Sequence, residues 1–126
     1  MSAAAPPLAA RVAGEAAAGR TVVPALPAAD TMKRVDGRRV VETIDRSVMV
    51  AVQTPQGFPL AVLEAAHRGW PDGEEATDDA AMCERAGTSV SWLPGEALNR
   101  KLTGPEDWWW AECVVDSGRV RWGGNR

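Results

Sequence analysis

The run AVQTPQGFP, residues 51–59, places Thr54 and Gln56 on either side of a proline and just before Gly57. A plain turn needs only Pro and Gly, because one presets φ and the other tolerates any φ. A hydroxyl and an amide added to that chemistry suggest a loop that also holds something polar, although a simple turn accounts for the same residues. Asp78 and Asp79 follow Thr77 at the start of the run TDDAAMCERAG. Thr77 reads as an N-cap there, and the two acids read as partners of the helix dipole rather than metal ligands. Arg46 follows Asp45, the pattern of a weak surface ion pair. Lys101 reads as a solvated residue at the edge of a strand. His67 is the only histidine, which leaves no multi-histidine metal site and no two-histidine mechanism. It ends the helical run LAVLEAAHRG, where a cation faces the negative end of the dipole. Cys83 and Cys113 lack CxxC spacing and read as free thiols.

These residues need a scaffold, and the patterning outlines one. Residues 7–19 form a helix, with Pro7 in its first turn, Leu8 and Val12 four apart, and Gly19 as its stop. Thr21 to Leu26 form a strand. Asp36-Gly37 is a hairpin-turn dipeptide between two charged arms, with Met32 and Val35 on one and Val40, Val41 and Ile44 on the other. A ribbon with so little core needs an outside surface, such as a second subunit. Val48 to Val52 read as a short buried strand, and Pro59 opens a helix carrying Leu60, Leu63 and Ala66. TSVSWL and ALNRKLT read as strands, and PEDWWWAECVV as a helix with Pro105 in its first turn. Three consecutive indoles point in three directions around a helix, so at least one of Trp108, Trp109 and Trp110 is exposed or meets a partner. Residues 114–126 read as a frayed tail. The order is α/β with a mixed sheet, and one domain fits 126 residues.

The net charge of −3 argues against non-specific nucleic-acid binding. No apolar run is long enough to span a membrane. The Ala-rich N-terminus is a poor signal peptide, which points to the cytoplasm.

Five stretches occur in one order: DTMKRV (30–35), TIDR (43–46), VQTPQGF (52–58), TDDA (77–80) and NRKLTGPED (99–107). Together they resemble the C-terminal half of the 2-C-methyl-D-erythritol 4-phosphate cytidylyltransferase family, over roughly residues 5–113. The resemblance implies the C-terminal part of a Rossmann-like nucleotidyltransferase fold, with a protruding β-arm at about 29–46 that hooks onto a dimer mate. It implies cytidylyl transfer from CTP to methylerythritol phosphate in non-mevalonate isoprenoid synthesis, with Mg²⁺ and release of pyrophosphate. Arg46 and Lys101 match the family residues that position the sugar phosphate. Thr31, Thr54 and Thr77 match threonines of the same pocket, and Thr31 and Arg46 are expected to reach the neighbour's site. The family's glycine-rich CTP loop, its transition-state Arg and Lys, and its acidic residue near the metal have no counterpart in these residues. The chain alone is therefore expected not to catalyse transfer. Arg100 and Trp108 to Trp110 depart from smaller or apolar family residues, and a buried arginine at 100 would need a partner. Two other readings fit: a non-catalytic remnant or dimer-arm interaction module, and a ribitol 5-phosphate cytidylyltransferase relative.

Overall fold

The computed structural model describes residues 6–119. Its centre is strand β1 (Thr21–Pro27), in which Thr21 through Ala25 are all buried. A strand covered on both faces loses the polar–apolar alternation of an exposed one. Helix α1 (Leu8–Ala17) precedes it and buries Leu8 and Val12 against Val22, with Leu93 packed alongside. Gly19 ends that unit at φ +90°, a conformation that a side chain would resist.

After β1 the chain makes a two-stranded ribbon, β2 (Met32–Asp36) and β3 (Arg39–Ile44), paired antiparallel. Gly37 turns it at φ +59°. Residues 31–40 are exposed throughout, so the ribbon has no core of its own. Lys33 Nζ donates to Thr43 Oγ1 at 2.7 Å, and Arg34 Nε to Glu42 Oε1 at 2.8 Å. Cross-strand pairs of this kind contribute only about 0–1 kcal/mol each.

A 3-10 turn (Arg46–Val48) leads into β4 (Val50–Val52), and the sheet order is β4-β1 followed by β5 (Val90–Pro94). β4 runs antiparallel to β1 and β5 runs parallel, which makes the sheet mixed. Between them lie α2 (Leu60–Arg68) and α3 (Asp79–Arg85). Ala66, Met82 and Cys83 join the two helices in a second core, closed by Phe58, Val62, Trp70, Ala76 and Val90. Trp70 Nε1 donates to Glu74 O, and Arg85 stacks over the Trp70 ring while pairing with Glu74. α4 (Pro105–Asp116) closes the described chain.

Several expectations change. The 48–52 segment is not a buried strand: Val48 is 80% and Val52 47% exposed. β4 is short and lies at the sheet edge, with no further strand beyond it among the described residues. ALNRKLT is a loop rather than a strand: no described strand pairs with it, and the Gln53 amide meets the Asn99 carbonyl in place of a ladder bond. Asp78, not Thr77, caps α3: its Oδ1 accepts from Ala81 N–H at 2.7 Å. The tail boundary at 114 falls inside α4, which runs on to Asp116; residues 120–126 of that tail lie outside the described residues. Trp108 and Trp109 are 61% and 68% exposed, which meets the expectation that at least one of the three indoles leaves the core. Arg100 is half-exposed and paired with Asp107 at 2.8 Å, so it carries no buried unpaired charge.

Candidate functional site

Pro24 creates the loop at the centre of the site. On the β4 side of β1, Val22 exchanges two hydrogen bonds of 2.9 Å with Gly57, and Pro24 O accepts from Gln53 N–H at 2.7 Å. Pro24 has no N–H to offer between those two anchor points, and a proline inside a sheet marks a place where the neighbouring strand departs. There Thr54, Pro55 and Gln56 bulge out between Gln53 and Gly57. Gly57 sits so close to α1 that a Cβ on it would lie 2.7 Å from Val12 Cγ1 and 2.9 Å from Val12 O. The far side of the loop is held by Gln56, whose Nε2 donates to Asp78 Oδ2 at 2.9 Å. Asp78 thus joins the loop to the start of α3.

Two concavities flank Thr54. One, of about 400 Å³, is lined by Thr54, Gln56, Phe58, Asp78, Asp79 and Met82 among others. The second, of about 310 Å³, is lined by Val52, Gln53, Thr54, Asn99, Arg100 and Lys101. Their charges are opposed, since the first carries two carboxylates and the second two cations. An anion is favoured on the Lys101 side by elementary electrostatics. Arg100 is partly committed: its guanidinium pairs with Asp107 and stacks over the Trp110 ring, 5.1 Å from the centroid. No ion pair of Lys101 occurs among the described residues.

The loop bearing Lys101 is tied to the loop bearing Thr54 by two amides. Gln53 Nε2 donates to Glu96 O at 2.8 Å and Asn99 O at 2.9 Å, and Gln53 Oε1 accepts from Glu96 N–H at 3.0 Å. Asn99 Nδ2 donates back to Thr54 O at 2.5 Å. Residue type alone singles out neither Gln53 nor Asn99. The one available signal is that both lie inside the ordered stretches.

Of the sequence-derived candidates, Thr54 and Lys101 meet on one concavity. Thr77 is exposed and lies between Ala76 and Asp78, which line the other concavity without it. Thr31 and Arg46 line neither. Thr31 is exposed at the base of the ribbon, and Arg46 Nη1 donates to Ala29 O. Asp45 does not pair with Arg46 as the sequence suggested. It accepts instead from the Ser47 hydroxyl at 2.7 Å and the Ser47 N–H at 3.0 Å, contacts that hold its carboxyl below the usual range.

Electrostatics elsewhere support the scaffold. Asp107 Oδ2 accepts from the Thr103 and Gly104 N–H groups at 3.0 and 3.1 Å, at the start of α4. Those backbone donors, with the Thr103 hydroxyl and Arg100 contributing less, hold its carboxyl below the ordinary aspartate value. Burial pushes the Cys83 thiol up, assisted by the charges of Asp79, Asp78 and Glu84. His67 Nε2 lies 2.9 Å from Asp79 Oδ1, joining the end of α2 to the start of α3. Among the described residues no three His, Cys, Asp or Glu side chains converge as a metal site. Asp78 and Asp79 instead contact Gln56 and His67. No described helix is long and apolar enough to cross a membrane.

Comparison with known proteins gives the chain its relatives. The sequence profile of the family described as IspD, 2-C-methyl-D-erythritol 4-phosphate cytidylyltransferase, matches residues 3–117. The chain is 48% identical over 94 residues to the protein of that name from Rubrobacter xylanophilus, covering 74% of this chain and 41% of the relative. It is 48% identical over 101 residues to the bifunctional enzyme IspD/IspF of Solidesulfovibrio magneticus, covering 79% of this chain and 25% of that protein. The crystal structure of the Thermus thermophilus cytidylyltransferase superposes with a TM-score of 0.76 at 37% identity, over 86% of this chain and 55% of that one. The chain thus spans less than half the length of these curated relatives and about half of the solved one. The mixed sheet and exposed ribbon accordingly belong to a nucleotidyltransferase fold, and over the length it spans the chain belongs to the 2-C-methyl-D-erythritol 4-phosphate cytidylyltransferase family.

Proposed function

We propose that this chain binds the sugar-phosphate acceptor in cytidylyl transfer from CTP to 2-C-methyl-D-erythritol 4-phosphate, a step of isoprenoid synthesis that releases pyrophosphate. The observation that carries this reading is the meeting of Thr54 and Lys101 on one concavity, in a chain whose relatives bear that name. In the transfer, a phosphate oxygen of the acceptor attacks the α-phosphorus of CTP, and the bond to the pyrophosphate oxygen breaks. Both reactants are polyanions, so the protein must lower their repulsion and align them. Lys101 supplies a compact positive charge for the acceptor phosphate, and the Thr54 hydroxyl donates a hydrogen bond to it. Thr77, next to Asp78 whose carboxylate holds Gln56 of the same loop, is assigned to the acceptor's hydroxyls on the resemblance alone. Thr31 and Arg46 serve the site of a second copy, carried there by the ribbon in a homodimer. Arginine suits that task because its fork grips a phosphate bidentately. Mg²⁺ would neutralise charge on the CTP phosphates, and no step is assigned to it here, since the described residues offer no cluster of three ligands for it. The reading places the protein in the cytoplasm.

The test is calorimetric titration of the chain with methylerythritol 4-phosphate. Binding is expected, weakened about tenfold or more by Lys101→Ala, the scale of a hydrogen bond to a charged group. Affinity untouched by Lys101→Ala would overturn the reading. Tighter binding of ribitol 5-phosphate would reassign the acceptor. A second reading, an interaction module, draws on the exposed ribbon and on Trp108 and Trp109. It predicts self-association in sedimentation without sugar-phosphate affinity.

A further inference from the structure

We propose that Gln53 is a positioning residue for sugar-phosphate binding: its side-chain amide holds the loop that carries Lys101 at a fixed distance from Thr54. The proposal rests on the reading of Lys101 and Thr54 as phosphate contacts. The loop from Gly95 to Gly104 has no strand neighbour, and its backbone groups need partners from elsewhere. Gly95 N–H still reaches Ala25 O at 2.8 Å, the last bond of the sheet on that side. From there one half-buried glutamine takes over. A primary amide has two donors and one acceptor oxygen, and Gln53 uses both kinds. Nε2 meets the carbonyls of Glu96 and Asn99, and Oε1 meets the Glu96 N–H. Its orientation is thereby set, since a flipped amide would face two carbonyls with an oxygen. Its own backbone is pinned to β1 through Pro24 O. Gly95 lies so close to this amide that a Cβ there would overlap the Gln53 oxygen. The return bond from Asn99 Nδ2 to Thr54 O closes the frame. Lys101 follows two residues later. Its long, flexible side chain makes a well-aimed charge only if its backbone is fixed, and no described strand or helix fixes it.

A residue that acts only through Lys101 has a signature that a merely stabilising residue lacks. Methylerythritol 4-phosphate affinity is measured by calorimetry at about 15 °C for wild type, Gln53→Ala, Lys101→Ala and the double variant, each first shown folded by near-ultraviolet circular dichroism. Gln53→Ala is expected to weaken binding about tenfold. The double variant is expected to bind no worse than Lys101→Ala, because the charge being positioned is gone. Losses that multiply would overturn the proposal, as would wild-type affinity in Gln53→Ala. Should Gln53→Ala fail to fold, Gln53→Glu keeps the size and the acceptor but loses both donors, and the same non-additivity is expected. Failure of both to fold would make Gln53 a stabilising residue and overturn the positioning role. Absence of any wild-type affinity would instead overturn the phosphate reading, and this role with it.

Discussion

Gly57 and Gly14 invite the same substitution with opposite expected results. Gly57 is buried where the bulged loop rejoins β1, and a Cβ on it would stand 2.7 Å from Val12 Cγ1 and 2.9 Å from Val12 O. The first contact is a side-chain methyl and can shift. The second is backbone within a helix and cannot move without lifting α1 off the sheet. Overpacking of this kind costs about 1–3 kcal/mol. For a chain of 126 residues the unfolding entropy makes that roughly 4 °C per kcal/mol, so Gly57→Ala is expected to lower Tm by about 4–12 °C. Gly14 lies inside α1, and a methyl added there would meet nothing within 4 Å. At that position Gly→Ala gains helix propensity of about 0.5–1 kcal/mol, and Tm is expected to rise by about 2–4 °C. Val12→Ala, made in the Gly57→Ala background, removes the methyl contact but leaves the carbonyl. The rescue should be incomplete. Thermal unfolding followed by circular dichroism decides the matter. A Gly57→Ala chain as stable as wild type would refute the close approach of the loop to α1, and with it the account of how Pro24 and Gly57 frame Thr54.

Three more outcomes are expected. Asp78→Ala removes the cap of α3 and the partner of Gln56 together; a loss of at least about 1 kcal/mol is expected in urea unfolding, and a neutral result would dismiss the cap. Cys113 is exposed and Cys83 fully buried with its thiol pushed up by burial, so a chromogenic disulfide reagent should modify one thiol quickly and the second only on unfolding. Two fast thiols would contradict the α2–α3 core. Asp107 has its carboxyl held low in the folded chain, chiefly by the Thr103 and Gly104 N–H groups. Its contribution is therefore complete above the ordinary aspartate pKa of about 4 and is lost as pH falls below that through the folded value. Asp107→Asn should flatten that acid limb of the stability curve, and an unchanged limb would reject the assignment.

The sequence made some features legible because one local rule decided them. Asp36-Gly37 marked the ribbon's turn, and Leu8 with Val12 marked the buried face of α1. Helical geometry alone required at least one of three consecutive indoles to leave the core, and Trp108 and Trp109 do. The misreadings arose where a distant partner outweighed the local pattern. ALNRKLT has strand-like residues, yet a strand requires a neighbour, and here Gln53 supplies a single side-chain bond, to the Asn99 carbonyl. Val48 to Val52 are apolar enough for a core strand, but Val48 belongs to the exposed 3-10 turn and β4 lies at the sheet edge, where Val52 is exposed. Thr77 lost the cap to Asp78, whose carboxylate serves Ala81 and Gln56 at once.

The site shows the same division. Thr54 and Lys101 stand out from their motifs, but the element that brings them together is not visible in either motif. It consists of a proline in the central strand, which opens the bulge, and two amides that lash the 95–101 loop to it. Each of those residues looks ordinary in isolation: a proline in an apolar run, a glutamine after a short strand, an asparagine in a loop. Their chemistry depends on pairings across more than forty positions of chain, from Gln53 to Glu96 and Asn99. If these bonds set the distance between Thr54 and Lys101, altering the frame should change affinity while every phosphate-contacting side chain stays in place. Gly95→Ala offers that test independently of any change at Gln53. Its methyl would displace the Gln53 amide, so it should weaken sugar-phosphate binding in the wild-type background. It should have little further effect once Gln53 is alanine. Equal losses in both backgrounds would mean that the amide frame and the phosphate site are uncoupled.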